Sequence, residues 1–277
     1  MTKILRSKTD ILKTQDKSSL LIKHFVPTMG SLHKGHISLI EKAKKNDGIT
    51  FVSIFINPIQ FDNQQDFLNY PEKTNKDIEV LKELKVDYVF IPKKDVFISD
   101  SSSLVNVNSF ENILCAKDRP NHFNGVATII TKFLNLINPH YIYLGEKDYQ
   151  QILVVKKIIK DFSFRTKVRM GRIIREHDGL AFSSRNSLLT RNQREKANQL
   201  YTTLRFIKKN ISLGNFEMKF LELIKKKLLE NGFDKINYLE IRRNEDLSCI
   251  NGQFFQARVF ISATIGNVRL IDNLFLG

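Results

Sequence analysis

The stretch LLIKHFVPTMGSLHKGH, residues 20–36, contains a strand pattern, a turn and the start of a helix in direct succession. Its first seven residues, LLIKHFV, predict a buried strand, and a glycine-containing turn follows. A helix is predicted from about His36 to Lys45. ITFVSIFI, residues 49–56, is rich in β-branched and aromatic residues and predicts a second strand. The succession therefore indicates a strand–helix–strand unit.

The alternation of helices and strands continues to about residue 161. Helices are predicted at 72–85, 126–137 and 149–161, and strands at 87–91 and 141–144. In the second helix the apolar residues recur at i, i+3, i+4 and i+7, and Pro139 follows its end. This pattern predicts an α/β domain with a mostly parallel sheet, which binds ligands at the carboxyl ends of its strands.

The pattern changes after about Arg175. Thr190 and Gln193 match a capping box that opens a helix to about Lys209. A helix at 216–231 and strands near 236–242, 256–263 and 267–271 follow. The sequence thus predicts two domains, 1–175 with the parallel sheet and 176–277 with a smaller α+β fold.

Composition and charge limit the classes of protein to which the chain can belong. Of the 277 residues 42% are hydrophobic, and no apolar run approaches the ~18 residues of a membrane span. Two distant cysteines indicate no disulfide framework, and no secretory signal is apparent, so a cytoplasmic location is expected. The net charge is +15, with 24 Lys/Arg against 12 Asp/Glu in residues 151–277. This basic half fits an anionic ligand or a solvated face, and no nucleic-acid recognition module accompanies it.

His33 and His36 suggest three possible roles. Metal ligation needs further ligands, and the four other histidines have no matching spacing. A purely structural role fits poorly, because two histidines and two glycines fill a core badly. Phosphate contact fits better, because a helix N-terminus carries unpaired N–H groups and partial positive charge. Gly30 and Gly35 would allow a ligand close to the backbone.

Four further segments carry polar groups near strand or helix ends. Asn57 and Gln60 in FINPIQF suit a neutral polar substrate, although an Asn-Pro turn explains them equally well. Lys147 in GEKDYQQ suits a phosphate, but an exposed charged loop is also possible. REHDGLAFSSRNSLLT (175–190) offers hydroxyls and a guanidinium for phosphate, or only an Asp-Gly turn and a helix cap. RPNHFNGV (119–126) offers a positive group near the site, and a loop that starts a helix explains it equally well.

Taken in order, these motifs closely resemble those of the pantothenate synthetase (pantoate–β-alanine ligase) family. The matching stretches are VPTMGSLHKGH, SIFINPIQF, RPNHFNGVAT, YLGEKDYQQ, DGLAFSSRN and the C-terminal ARVFISATIGNVRLIDN. The resemblance implies a Rossmann-like first domain related to class I aminoacyl-tRNA synthetases, a C-terminal lid domain and a homodimer. It also implies a reaction in which ATP, (R)-pantoate and β-alanine give (R)-pantothenate, AMP and diphosphate through a pantoyl-adenylate, with Mg²⁺.

The resemblance assigns roles to individual residues. His36, His33, Lys147 and Arg185 are the expected catalytic residues, with His36 as the proton donor. Gln60, Gln151 and Asn57 are expected to bind pantoate or β-alanine. The expected ATP-binding residues are Met29, Gly30, Ser31, Leu32, His33, Lys34, Gly35, His36, Gly145, Glu146, Lys147, Asp148, Ile174, Phe182, Ser183, Ser184 and Arg185.

Three positions depart from the family pattern. Lys34 replaces an acid, Asn121 replaces a glycine, and Phe182 replaces a methionine or leucine. These departures bear on the affinity for ATP more than on the catalytic activity.

Two other functions compete with the ligase. One alternative is a nucleotidyltransferase acting on another phosphate, which would need basic groups where Gln60 and Gln151 stand. The other is a nucleic-acid-binding protein that uses the basic half. No carboxylate cluster identifies Mg²⁺ ligands.

Overall fold

The structure is a computed structural model that describes residues 1–17, 20–93, 97–98, 103–250, 252 and 254–277. Two compact units divide the chain. The first unit contains Met1–Glu111 and Arg119–Arg172, and the second contains Asn112–Asp118 and Ile173–Gly277. The main division lies close to the boundary expected after Arg175. The short segment Asn112–Asp118 joins the second unit, although the sequence prediction assigned it to the first domain.

The first unit is built on a six-stranded sheet. Its strands are β1 (Lys3–Leu5), β2 (Lys23–Thr28), β3 (Ile49–Ile54), β4 (Tyr88–Phe90), β5 (Tyr141–Gly145) and β6 (Lys167–Gly171). They lie in the order β1-β4-β3-β2-β5-β6, and every pair is parallel. The observed sheet confirms the predicted α/β class.

Helices connect these strands. They are α1 (Lys8–Lys17), α2 (Lys34–Lys44), α3 (Gln64–Leu68), α4 (Thr74–Glu83), α6 (His122–Ile137) and α7 (Tyr149–Asp161). Helix α2 packs Leu39, Ile40 and Ala43 against Val26 and Val52 of the central strands. Burial of these aliphatic side chains drives the packing of helix on sheet. The predicted helix at 126–137 begins one turn earlier, at His122, and Asn138 ends it in the left-handed conformation before Pro139.

The second unit contains a three-stranded antiparallel sheet and four helices among its described residues. The strands are β7 (Lys235–Arg243), β8 (Ala257–Ile265) and β9 (Val268–Phe275), in that order. The helices are α5 (Cys115–Asp118), α8 (Arg191–Ala197), α9 (Gln199–Ser212) and α10 (Phe220–Glu230). Leu204, Leu228, Val259 and Ile261 lie in one buried apolar cluster, which confirms a smaller α+β fold.

One predicted helix is interrupted. The expected helix from Thr190 to about Lys209 consists of α8 and α9, which meet at Asn198. The N–H of Asn198 donates to Lys196 O, so the regular i to i−4 hydrogen bonding is broken there. The capping box of Thr190 and Gln193 is present as predicted.

Candidate active site

Three adjacent strands of the first unit carry predicted site residues just beyond their carboxyl ends. Strand β2 lies between β3 and β5. The Met29–His36 segment follows β2, Asn57 and Gln60 follow β3, and Lys147 follows β5. The chain continues to β3 on one side of β2 and places β5 on the other. This is the topological switch point at which open parallel sheets bind ligands.

The turn after β2 has an unusual backbone. Gly30 and Ser31 both have positive φ, +82° and +50°. A Cβ at Gly30 would lie 3.0 Å from Asp77 Oδ2, so only glycine fits without strain. The N–H groups of Ser31 and Leu32 donate to the two carboxylate oxygens of Asp77, at 2.7 and 2.8 Å. These two N–H groups are therefore occupied, and any contact of Ser31 or Leu32 with nucleotide uses other atoms.

His33 and His36 form a reciprocal cap at the start of α2. The N–H of Gly35 donates to His33 Nδ1 at 3.1 Å, and the N–H of His33 donates to His36 Nδ1 at 3.4 Å. The rings stack with their centroids 4.0 Å apart. The sequence suggested unpaired N–H groups at this helix start, but the imidazoles already satisfy part of them. Because both Nδ1 atoms accept hydrogen bonds, each neutral ring carries its proton on Nε2.

The electrostatic surroundings keep both rings neutral. Burial, together with the smaller effect of the Lys147 charge, lowers the pKa of His33 from its ordinary 6.5 to about 4. Burial, followed by His33 and Lys147, holds the pKa of His36 well below its usual value. Near pH 7 the pair thus offers two Nε2–H donors with no positive charge of their own. Lys147 supplies the adjacent cation.

Asn57 and Gln60 lie together after β3. The Nδ2 of Asn57 donates to Gln60 Oε1 at 3.2 Å and to Gly125 O at 3.0 Å. Asn57 is 1% exposed, and its Oδ1 is buried without a hydrogen-bond partner among the described groups. Gln60 Nε2 contacts Met29 Sδ, which joins this pair to the turn after β2. A buried, unpaired acceptor is costly, so Asn57 Oδ1 is a candidate contact for a ligand donor.

The RPNHFNGV segment holds the backbone of Gln60. Arg119 Nη2 and His122 Nδ1–H both donate to Gln60 O, at 3.1 and 2.8 Å. A Cβ at Gly125 would lie 2.3 Å from Ile59 O and 2.6 Å from Gln60 Cα. Gly125 thus allows α6 to approach the Gln60 turn closely. The sequence suggested a positive group near the site or a loop that starts a helix; α6 does begin in this segment, at His122, and the structure adds the two hydrogen bonds to Gln60 O.

The GEKDYQQ segment follows β5 directly. Glu146, Lys147 and Asp148 form a 3-10 turn, and α7 begins at Tyr149. Gln151 is partly buried in the first turn of α7, and Gln150 beside it is fully buried. The observed start and end of α7 match the predicted 149–161. Lys147 is close enough to the two imidazoles to lower both pKa values.

The remaining predicted residues belong to the second unit. A bridge pairs Arg175 with Ala181, and the N–H of Phe182 donates to Ile174 O at 3.0 Å. Ser183 begins the 3-10 turn Ser184–Leu188, and its Oγ accepts the N–H of Arg185 at 3.3 Å. The segment is a compact hairpin followed by a capped turn, and it presents two hydroxyls and one guanidinium.

Two arginines fix this hairpin through buried or half-buried carboxylates. Arg175 makes a bidentate pair with Asp272, at 2.6 and 3.0 Å, and its guanidinium lies 3.7 Å from the centre of the Tyr201 ring. Arg194 pairs with Glu176 at 2.7 Å and with Asp178 at 2.6 Å. Bidentate pairs of this kind restrict geometry strongly. They give the Ser183–Arg185 segment a rigid support.

Sequence reasoning missed Asp77 and Asp272. Each residue contacts a predicted motif from a distant part of the chain, and no local pattern marks either one. The one available signal is a lone acidic residue on the face of a helix or strand that is expected to be buried. Such a residue indicates a partner elsewhere in the chain, because acids are rarely buried without one. Within the described ranges, no group of three or more His, Cys, Asp or Glu side chains could hold a metal ion. In the same ranges, no helix is long and apolar enough to cross a bilayer.

Comparison with known proteins gives consistent matches over the whole chain. A family model described as pantoate-beta-alanine ligase matches residues 2–275. A pantothenate synthetase of Thermosipho africanus (strain TCF52B) is 39% identical over 253 residues, 91% of each chain.

Solved structures show the same relation. A pantothenate synthetase from Thermus thermophilus superposes with a TM-score of 0.92 at 32% identity, covering 100% of this chain and 99% of that one. The ligase from Francisella tularensis, complexed with beta-gamma ATP and beta-alanine, gives a TM-score of 0.86 at 35% identity, with coverage of 100% and 98%.

Proposed function

The chain belongs to the pantoate–β-alanine ligase family, and we propose that it condenses its substrates through a pantoyl-adenylate formed on the first unit. It is an ATP-dependent ligase that joins (R)-pantoate to β-alanine and produces (R)-pantothenate, AMP and diphosphate. In the proposed first step, a carboxylate oxygen of pantoate attacks the α-phosphorus and diphosphate leaves. In the second, the β-alanine amine attacks the acyl carbon and AMP leaves with the carboxylate oxygen.

The neutral histidine pair carries this proposal. Both imidazoles present Nε2–H donors beside Lys147, at the carboxyl end of β2. Negative charge that develops on phosphate oxygens during attack would strengthen these hydrogen bonds in the transition state. His36 acts here as a hydrogen-bond donor, because its lowered pKa disfavours the imidazolium needed for proton donation.

Neutral amides suit the other half of the reaction. Gln60, Gln151 and Asn57 are the proposed contacts to pantoate and β-alanine, and the unpaired Oδ1 of Asn57 supports a ligand donor there. A nucleotidyltransferase acting on a second phosphate would call for basic side chains in place of Gln60 and Gln151. The amides therefore favour the ligase over a nucleotidyltransferase that acts on a second phosphate.

The other ATP contacts are proposals supported by their positions. Gly145, Glu146, Lys147 and Asp148 follow β5, next to the β2 loop in the sheet order. In the second unit, Ser183, Ser184 and Arg185 are proposed phosphate ligands, and Ile174 and Phe182 are proposed to flank the adenine. A role for the second unit as a lid, a homodimer and a cytoplasmic location remain predictions.

ATP is proposed to enter as its Mg²⁺ complex. Mg²⁺ commonly binds nucleotide phosphates and water with only one or two protein carboxylates. The described residues contain no group of three or more His, Cys, Asp or Glu side chains that could hold the ion. The ion would add to the charge neutralisation that Lys147 provides.

A coupled assay of AMP release tests the proposed function. AMP formation is expected only when ATP, pantoate and β-alanine are all present, with pantothenate formed in equal amount. AMP release at the same rate without pantoate would contradict the proposal.

A further inference from the structure

Asp77 is a buried acid that no predicted role includes. It lies in the first turn of α4, is 3% exposed and contacts the turn after β2. Its Oδ2 accepts the N–H of Ser31 at 2.7 Å, and its Oδ1 accepts the N–H of Leu32 at 2.8 Å. An ionised carboxylate has acceptors only, so it matches two convergent N–H donors better than any neutral side chain.

The turn that Asp77 holds is strained. Ser31 has a φ of +50° next to Gly30 at +82°, and the left-handed region is unfavourable for a residue other than glycine. Thr28 adds a third anchor, because its Oγ1 accepts the N–H of Gly30 at 3.2 Å and donates to Ser53 O at 2.6 Å. Without these acceptors, the strained turn is expected to relax.

The turn leads directly into the histidine pair. His33 follows Leu32 and is the cap of α2, and its own N–H fixes the ring of His36. A shift in the turn therefore moves the first residue of the cap and both imidazole rings. Catalytic hydrogen bonds tolerate such shifts badly, since about 1 Å of misplacement costs about 10²-fold in rate.

We propose that Asp77, assisted by Thr28, is a positioning residue that holds the Gly30–Leu32 turn so that the Nε2–H groups of His33 and His36 face the reacting phosphate. This inference rests on the proposed function of the histidine pair. Asp77 touches neither substrate nor nucleotide in this role.

Asp77→Asn tests the inference with little change of shape. The amide retains one acceptor oxygen and places an NH₂ group against the other N–H donor. The expected result is a kcat lowered about 10- to 100-fold, with the KM values of pantoate and β-alanine within about twofold of wild type, because a contact made in the transition state is lost. The ring ¹⁵N resonances of His33 and His36 are expected to shift.

Glu79→Gln is the matched control, since it makes the same chemical change at an exposed position of the same helix. It is expected to leave kcat, KM and the histidine resonances unchanged. A kcat for Asp77→Asn within about twofold of this control would overturn the inference. A large rise in both KM values would also overturn it, because that indicates general damage to the fold.

Thr28→Val is the second test of the positioning role, and it applies if the Asp77→Asn variant does not fold. It removes the acceptor for the Gly30 N–H with little change of volume, and a smaller loss of kcat, about 3- to 10-fold, is expected with unchanged KM values. An unchanged kcat in Thr28→Val would then overturn the inference. Failure of the proposed function is distinguishable, because it would appear as pantoate-independent AMP release by the wild-type enzyme.

Discussion

Gly125→Ala places one methyl group where α6 meets the Gln60 turn. In an ordinary helix this change stabilises the folded state by up to about 1 kcal/mol, because alanine has the higher helix propensity. Here the new Cβ would lie 2.3 Å from Ile59 O and 2.6 Å from both Gln60 N and Gln60 Cα. The steric contact therefore predicts a loss of stability, whereas the helix propensity of alanine predicts a gain.

The size of the effect follows from the overlap. Real Cβ contacts do not fall below 3.0 Å, so the backbones must separate by about 0.7 Å at Ile59 O. Overpacking of this kind costs about 1–3 kcal/mol, and after the propensity gain of about 1 kcal/mol the net loss in the free energy of unfolding is up to about 2 kcal/mol. The same shift displaces the Gln60 side chain, and the KM of pantoate is expected to rise about tenfold or more.

Urea unfolding and steady-state AMP release measure the two effects. Asn135→Ala is the control, because Asn135 is exposed on the same helix, and its change in stability is expected within about 0.5 kcal/mol. A Gly125→Ala enzyme that is at least as stable as wild type and keeps its KM for pantoate would refute the reasoning.

Three other substitutions and one pH titration test separate features of the site and the fold. His36→Ala is expected to lower the adenylation rate about 10²-fold in single-turnover assays, and an unchanged rate would remove His36 from the mechanism. Lys147→Met is expected to raise the pKa of His33 above about 4 while burial still keeps it below 6.5, as followed by NMR titration; no change would contradict the assigned charge effect. In the wild-type protein, His33 should make the free energy of unfolding decrease as the pH falls from 6.5 to about 4, because the unfolded chain binds a proton that the folded chain does not. Asp272→Asn is expected to destabilise the protein by about 3 kcal/mol in urea unfolding, since it leaves the guanidinium of Arg175 without its buried partner, and a loss below about 1 kcal/mol would show that the pair contributes little.

The central part of the fold was predictable because its signals are local. Strand β3 is buried along nearly its whole length, and its sequence ITFVSI is rich in apolar and β-branched residues. Strand β2 (KHFVPT) is similarly buried, but it begins three residues later than the predicted strand at 20–26, and Leu20, Leu21 and Ile22 are exposed. Helix α7 has a strong apolar stripe, and its limits matched the prediction. Strand β6 gave no such signal, because it lies at the sheet edge and three of its five residues are exposed.

The sequence motifs predicted which residues form the candidate site, but they did not predict the geometry that the structure gives those residues. The motifs after β2, β3 and β5 converge because these strands are neighbours, and the alternating pattern implied that they would be near each other. The choice of imidazole tautomer depends on which atoms accept the N–H groups of Gly35 and His33. The support from Asp77 comes from 46 residues away in sequence, and only tertiary packing reveals it.

Oxygen transfer from pantoate to AMP tests the central claim most directly. Pantoate labelled with ¹⁸O in its carboxylate is incubated with ATP, β-alanine and the enzyme, and the AMP is analysed by mass spectrometry. If the carboxylate attacks the α-phosphorus, each AMP molecule acquires one ¹⁸O atom. AMP without ¹⁸O, formed together with pantothenate, would contradict a pantoyl-adenylate and the role assigned to the histidine pair.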